Sequence, residues 1–520
     1  MGIASKSPLD LQKNTAIPCL IQTCSVLETE CHEYPLRLNR IPVMSVQTTS
    51  VPIAHRSSRF ATILLTLVLF VSLLTGCASI KAPHNGPLET TLSEPGYQVG
   101  VNRRDWAPET LVFGLSFSGG GTRAAALAYG VLEELSRTQV EAKGKPYRLL
   151  DLVENISAVS GGSYTAAYYG LFGDRLFQDF EKKFLKRNLE NDIAATIFAP
   201  TNLFNMSSPY FGRSDVIAEY LDQVLFEGKT FADLDRAVRQ ERRPFVLINA
   251  TDMARTSRFE FTQDQFNLLC SDLGPYKVSR AVAASSAVPV IFSPITLSNY
   301  AGRCGYSQPE WISQALSERH ESVRRYAVAA DLQSYLDASK RKYIHLIDGG
   351  LSDNLGLRAV LDRLSLTGAS GLANNYGRNE IRRIAHIVVN AQARHDYPQL
   401  DQYAEVPTLS AIAFAVGNTT DRYNVETLAY ARSSLNEAAK ALAERQVEAR
   451  VPDGEDVQAM LIEISFDDLD NDEERAYFNA LPTSFNLPPE AIDRLREIGG
   501  RLLRASPEYQ KLLHELPTLK

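Results

Sequence analysis

The chain has 520 residues, with 54 lysines and arginines against 61 aspartates and glutamates, for a formal net charge of −7. At 44% hydrophobic and 22% charged residues the composition is globular, which excludes the disordered and collagen-like classes. The acidic balance, without long basic blocks, excludes a nucleic-acid binder, which needs a cationic footprint to displace counterions.

Ala61 to Leu74 form an apolar run preceded by Arg56 and Arg59. Crossing a bilayer takes roughly 20 apolar residues, so a short run behind basic residues reads as a secretory signal. The run ends in Leu74-Thr75-Gly76-Cys77, which resembles the lipobox of bacterial lipoproteins. That resemblance implies cleavage before Cys77, acylation of Cys77 and stable anchoring by several acyl chains. Ala78 and Ser79 follow with no Asp behind the Cys, which for similar Gram-negative lipoproteins implies the outer membrane, facing the periplasm. An ordinary signal peptide, or a buried helix with a chance Cys, is the alternative. Met44 makes a conventional start, so residues 44–76 are expected to be the signal peptide and residues 1–43 a mis-called extension. Cys19, Cys24 and Cys31 lack the paired spacing and His partner of a zinc site.

Residues 77–107, rich in Pro, Gly and polar side chains, read as a lipid-anchored tether. Residues 108–520 then alternate strand and helix patterns and are expected to form one large α/β domain. Its central sheet should be mostly parallel and flanked by helices. Strands are predicted at Leu111–Phe117, Leu152–Val159, Pro244–Ala250, Tyr343–Ile347, Ile384–Asn390 and Ala459–Phe466, all apolar nearly throughout. Helices are predicted at Arg123–Arg137, Gly161–Phe172, Thr420–Gln446 and Pro489–Leu503, with a charged helical insertion around 305–342.

Three short segments carry the chemistry. Ser118-Gly119-Gly120-Gly121-Thr122-Arg123 joins a strand to a helix. Successive glycines bring backbone amides to a helix N-terminus, suited to a phosphate or an oxyanion; the spacing fits neither GxxxxGK[ST] nor GxGxxG. Ala158-Val159-Ser160-Gly161-Gly162 has the strand-to-helix layout of a nucleophile elbow, although Ala158 stands where G-x-S-x-G has glycine. Ser160 as a helix N-cap is the alternative. Ser157 and Ser163 are competitors that lack a following glycine. Ile347-Asp348-Gly349-Gly350 puts a carboxylate at a strand's C-terminal end, where open α/β sheets place active sites, or else marks a tight turn. Asp353 is expected to cap the following helix.

SGGGTR, AVSGGS and IDGG in this order resemble the patatin-like phospholipase family, and Asn249-Ala250-Thr251-Asp252 and the stretch Arg280 to Pro289 agree. The resemblance covers roughly Leu111 to Asn390, with departures at Ser118, where the family often has Asp, and at Ala158. It implies a serine acyl-hydrolase acting on lipid esters through a Ser–Asp dyad and an acyl-enzyme. In it Ser160 is the nucleophile and Asp348 the base, Gly119, Gly120 and Gly121 form the oxyanion hole, and Arg123 stands beside it. The chemistry is coherent by itself, because a serine hydroxyl needs an adjacent base to become nucleophilic. No metal and no organic cofactor is expected, and the partners implied are membrane lipids or lipid esters.

The competing site is a Ser-His-Asp triad, for which His395-Asp396 is the best candidate. His345 and His386 lie inside strands and are expected in the core, and His320 sits in a solvated helical run. Acyl transfer to an acceptor other than water, or a catalytically silent lipid- or protein-binding lipoprotein, are the alternative functions. Ile197–Gly212 is either an apolar lip for lipid access or a core-packing connection. Cys270 and Cys304 are free to pair in an exported compartment or to remain thiols.

Overall fold

The middle of the central sheet is built from strands whose hydrophobic runs leave no face for water. In a computed structural model that describes residues 83–100, 108–142, 144–394 and 419–516, β1 (Leu111–Phe117) is buried along its whole length. A small hairpin, β2 (Gln139–Ala142) with β3 (Lys145–Arg148), leads into β4 (Asn155–Val159) and β5 (Phe245–Asp252). Then follow β6 (Ser257–Glu260), β7 (Ile295–Ser298), β8 (Tyr343–Ile347), β9 (Arg383–Asn390) and β10 (Gln458–Ser465). The large sheet runs β10-β9-β1-β4-β5-β8-β7, with β6 paired to β5. Pairings from β10 to β5 are parallel, whereas β6, β7 and β8 join antiparallel. The sheet is mixed and mostly parallel, with helices around it.

Several expectations need correction. The segment Leu149–Leu152 is a short 3-10 helix, so β4 starts at Asn155 rather than Leu152. Strand β8 alternates exposed and buried side chains, which puts His345 on the exposed face, where Nδ1 meets Thr296 Oγ1 at 2.9 Å. His386 is buried as expected. Residues 83–100 are not a loose tether. Asn85 is buried and bonds the backbone of Ser298, while Tyr97 stacks on Phe245 and bridges the Val246 backbone through its hydroxyl. Residues 1–82, which include the signal and Cys77, and His395 lie outside the described residues.

The charged insertion folds as helices Glu310–Ser317 and Val323–Ser334 around a small core of Ile312, Ala315 and Ala329. Helix Thr419–Glu448 packs on the far side of the sheet. Helix Pro489–Ala505, followed by the shorter Pro507–Glu515, lies along helix Gly121–Arg137, where Arg496 pairs with Glu133. That packing anchors the connection before it, residues 480–488, against the start of helix Gly121–Arg137. Cys270 and Cys304 are disulfide-bonded. Among the described residues no helix is long and apolar enough to cross a membrane.

Candidate active site

Strand β4 delivers Ser160 at its C-terminal end, and helix Gly161–Phe172 begins at the next residue. Ser160 has φ 46° and ψ −122°, a conformation that side-chain-bearing residues avoid at a cost of about 1–3 kcal/mol. Its surroundings enforce it. The Ser160 N–H donates to Ser285 Oγ at 2.8 Å, and Ser285 Oγ donates to the Asn249 carbonyl at 2.6 Å. The Ser160 carbonyl accepts from the Ser163 amide at 2.9 Å. Gly161 is obligatory, since a Cβ there would overlap the carbonyl oxygen of Gly121. The Ser160 side chain makes no cap bond to its helix.

Its hydroxyl instead donates to Asp348 Oδ2 at 2.8 Å. Strand β8 pairs with β5 only through Thr251↔Ile347 and Asp252↔Leu346. The expected placement at a strand's C-terminal end therefore holds, but on a strand that returns antiparallel over the edge of the parallel ladder. Asp348 Oδ1 accepts the Gly350 N–H at 2.7 Å, and the Asp348 N–H donates to the Ala287 carbonyl at 2.9 Å. Burial pushes the carboxyl up to about 6, against the opposing pull of the Gly350 and Ser160 hydrogen bonds. A carboxylate of that basicity is ionised at neutral pH and is a stronger proton acceptor than an exposed one.

The glycine loop supplies donors, though not the three expected. The Gly119 N–H is already bonded to the Asn354 carbonyl at 2.9 Å, which withdraws it from any oxyanion hole. Among the described residues nothing accepts from the N–H of Gly120 or Gly121. Gly120 and Gly121 have φ 136° and 61°, conformations that suit glycine. Arg123 stands beside Gly120, as expected, and also clasps backbone distant in sequence. Its guanidinium bonds the Ala391 carbonyl at 2.9 Å, the Leu481 carbonyl and Thr483 Oγ1 at 3.1 Å. Ser118 Oγ accepts the Ala391 N–H at 2.9 Å, a backbone-holding role for the residue that departs from the family pattern.

The competing residues are occupied elsewhere. Ser157 Oγ accepts from Asn249 Nδ2 at 3.0 Å, and Ser163 Oγ bonds back to the Ser160 carbonyl. Asp353 accepts the Leu357 and Arg358 amides at 3.1 and 2.8 Å, the helix cap anticipated for it. His386 pairs in register with Gly114, well before the loop at the end of β1, and bonds Ser116 Oγ at 2.8 Å. Burial lowers it to about 4, so it is a neutral core imidazole. His320 is exposed. Among the described residues no group of His, Cys, Asp and Glu is arranged to hold a metal.

Sequence reasoning did not single out Ser285, although it lies within the quoted stretch Arg280 to Pro289. Nothing in the sequence pointed to Asn354 or to Ser484, whose carbonyl accepts the Thr122 N–H at 2.9 Å. In the Ile197–Gly212 segment, Phe198, Leu203 and Phe204 are exposed around the short helix Pro200–Asn205, whereas Phe211 is buried. Val290, 87% exposed, and Ile291 stand on the loop that leaves Ala287. Arg213 and Ser214 bond that loop at the Val290 carbonyl and at Ser293, so the end of the segment at Gly212 adjoins it.

Residues 115–361 match the family model described as patatin-like phospholipase. The fold is similar to human GIVD cytosolic phospholipase A2, at 14% identity and a TM-score of 0.39, over 79% of this chain and 63% of that one. VipD from Legionella pneumophila is similar at 13% identity and a TM-score of 0.30, over 82% of this chain and 72% of that one. The chain thus spans about three fifths of the length of the human enzyme. No curated protein sequence matches it.

Proposed function

We propose that this chain, which carries a patatin-like phospholipase domain at residues 115–361, hydrolyses lipid esters with Ser160 as nucleophile and Asp348 as its base. The family match supports a lipid hydrolase, and the observation that carries the finer reading is the 2.8 Å bond from Ser160 Oγ to a buried carboxylate. Ser160 Oγ attacks the ester carbonyl carbon while Asp348 Oδ2 takes the hydroxyl proton. The carbonyl oxygen gains the negative charge and is met by the N–H groups of Gly120 and Gly121. Collapse expels the alcohol, which receives the proton from Asp348, and leaves an acyl ester on Ser160. Asp348 then deprotonates a water that releases the carboxylic acid and restores the hydroxyl. One oxyanion donor is typically worth roughly 2.7–4 kcal/mol, so two amides account for a large share of the rate.

The exposed Phe198, Leu203, Phe204, Val290 and Ile291 support substrates that lie in a lipid phase. The lipobox at Cys77 and the Cys270–Cys304 disulfide support an exported, lipid-anchored protein of the bacterial envelope, with the outer membrane facing the periplasm as its location. Cys77→Ala should then abolish incorporation of labelled palmitate and leave the chain unprocessed. The test of function is hydrolysis of phospholipid and simple acyl esters by the detergent-solubilised chain. Ser160→Ala and Asp348→Asn are expected to lose turnover with circular dichroism unchanged. Turnover that survives Ser160→Ala moves the nucleophile elsewhere, and an inert wild type across the panel favours a binding lipoprotein. Product carrying the acyl group on an added alcohol instead of water makes it an acyltransferase.

A further inference from the structure

We propose that the side-chain amide of Asn354 is a third hydrogen-bond donor to the ester oxygen that becomes the oxyanion, beside the N–H groups of Gly120 and Gly121. The inference rests on the hydrolase reading above and adds a catalytic residue to it.

Asn354 follows the short helix Gly350–Asp353, which starts two residues after Asp348. Side chains on a helix lean towards its N-terminus, over the residue four before, so Asn354 leans over Gly350 towards the base. The distances agree. A Cβ placed on Gly350 would stand 3.1 Å from Asn354 Oδ1 and 3.0 Å from Asp348 Oδ1. A Cβ placed on Gly119 would stand 2.7 Å from Asn354 Oδ1 and 3.3 Å from Ser160 Cβ. The carboxamide therefore occupies the space that these two glycines leave open, between the glycine loop, the nucleophile and the base. Neither glycine has a positive φ, so room for Asn354, not backbone conformation, is what a side chain at either position would violate.

The backbone of Asn354 is fixed, because its carbonyl accepts the Gly119 N–H at 2.9 Å. The side chain is not. It is half-buried, and among the described residues neither end of its amide has a hydrogen-bond partner. A half-turn of the amide exchanges Oδ1 and Nδ2, and no bond has to break for it. The residue that withdraws one loop amide from the oxyanion thus offers a side-chain N–H in its place. When Ser160 Oγ adds to the carbonyl carbon, its proton passes to Asp348 and the carbonyl electron pair goes to the oxygen. Three donors then meet that oxygen in place of two.

The experiment uses the detergent-solubilised full chain with Asn354→Ala and Asn354→Leu. Both variants keep the backbone carbonyl that Gly119 needs, and leucine also keeps the bulk. Hydrolysis of a short-chain ester whose alcohol does not ionise is measured together with inhibition by an alkyl trifluoromethyl ketone. Ser160 adds to that ketone to give an oxyanion without a leaving group. Loss of one donor should lower kcat/KM about 10²–10³-fold in both variants and weaken the ketone by a like factor. The melting temperature and the acid limb near pH 6 should stay in place. A rate equal to wild type in either variant overturns the proposal, since recovery with leucine means that Asn354 only fills space. A lowered rate with unchanged ketone inhibition puts Asn354 on the leaving alcohol, and a displaced acid limb puts it on Asp348; either overturns the third donor. A wild type inert towards every ester overturns the hydrolase reading and the donor with it, whereas an active wild type with unaffected variants overturns the donor alone.

Discussion

Asp348→Asn should make the protein inactive and more stable at the same time. The carboxyl is raised from 3.8 to about 6, with burial as the dominant cause. A folded-state pKa above the unfolded value means that an acid is charged in the native state at a cost. The difference of about 2 units, at 1.36 kcal/mol per unit, amounts to about 3 kcal/mol at pH 8. That figure already includes the favourable Gly350 and Ser160 bonds, because both act on the charged form. Asparagine keeps an acceptor for the Gly350 amide and turns an amide donor towards Ser160 Oγ, so little geometry is lost. As pH falls through 6 the native state takes up a proton before the unfolded chain does, and the wild type recovers. Below about 4 both states are protonated and the advantage of asparagine should vanish. Asp353 is also pushed up to about 6 by burial, but it is common to both proteins and cancels in the comparison. Urea unfolding of both proteins at pH 8 and pH 4 measures the gap. A variant no more stable than wild type at pH 8, or a gap that persists at pH 4, refutes burial as the source of the basicity. In the wild type, turnover should decline below about pH 6 as the base is protonated, and esters with non-ionising leaving groups make that limb readable.

Ser160→Gly should remove turnover and stabilise the fold by about 1 kcal/mol by relieving the positive φ, whereas Ser160→Ala keeps its Cβ in the same strain and should gain nothing, a contrast visible in paired thermal melts. Gly161→Ala should cost about 3 kcal/mol and abolish hydrolysis, because its methyl displaces the Gly121 carbonyl and with it the glycine loop; a urea midpoint equal to wild type would show that the two segments are not in contact. Arg123→Ala should cost about 3 kcal/mol or more through three lost bonds to the 391 and 481–483 segments, with kcat falling as the loop loosens; an unchanged midpoint would refute the clasp. Replacing both Cys270 and Cys304 by Ser should cost about 4 kcal/mol, the chain-entropy value for a loop closed at a sequence separation of 34, and should remove the sensitivity of the melting temperature to reductant.

The parts of the fold that were legible in the sequence are those where local pattern and tertiary role coincide. Strands β1 and β9 are buried on both faces, so their apolar runs could be nothing but central strands. Helix Gly161–Phe172 was bounded correctly because small residues at its start and Gly173 at its end punctuate it. The elbow was legible for the same reason: a strand cannot turn into a helix this tightly unless the residue after the serine lacks a Cβ. By contrast, β6 and β7 are short strands of four residues at the antiparallel end of the sheet, where partners rather than propensity decide. His345 was misplaced because β8 touches β5 in only two residues, which leaves one of its faces to solvent. Asn85 and Tyr97 were missed because a Pro- and Gly-rich segment is a poor helix or strand whether or not it docks.

The oxyanion loop marks the boundary of what motif reading reaches. A run of three glycines announces that backbone comes close to something, but not which amides remain free once the chain folds. That depends on acceptors distant in sequence: the Asn354 carbonyl takes the Gly119 amide and the Ser484 carbonyl takes that of Thr122, so the loop is bonded on both sides and open only at Gly120 and Gly121. Two bonded amides flanking two free ones hold a rigid donor pair, and rigidity is what gives such donors their value, since no reorganisation remains to be made when the charge appears. On the proposed mechanism the segment around Ser484 would support this donor pair through the Thr122 amide. It is kept in place by Arg123 at Leu481 and Thr483 and by the packing of helix Pro489–Ala505 on helix Gly121–Arg137. A truncation after β9 should then leave the Ser160–Asp348 pair its own supports, in Ser285, Asn249, Ala287 and Gly350, while freeing the glycine loop on one side. On the mechanism proposed above, the C-terminal part of the chain would belong to the catalytic apparatus, although the family match ends at residue 361.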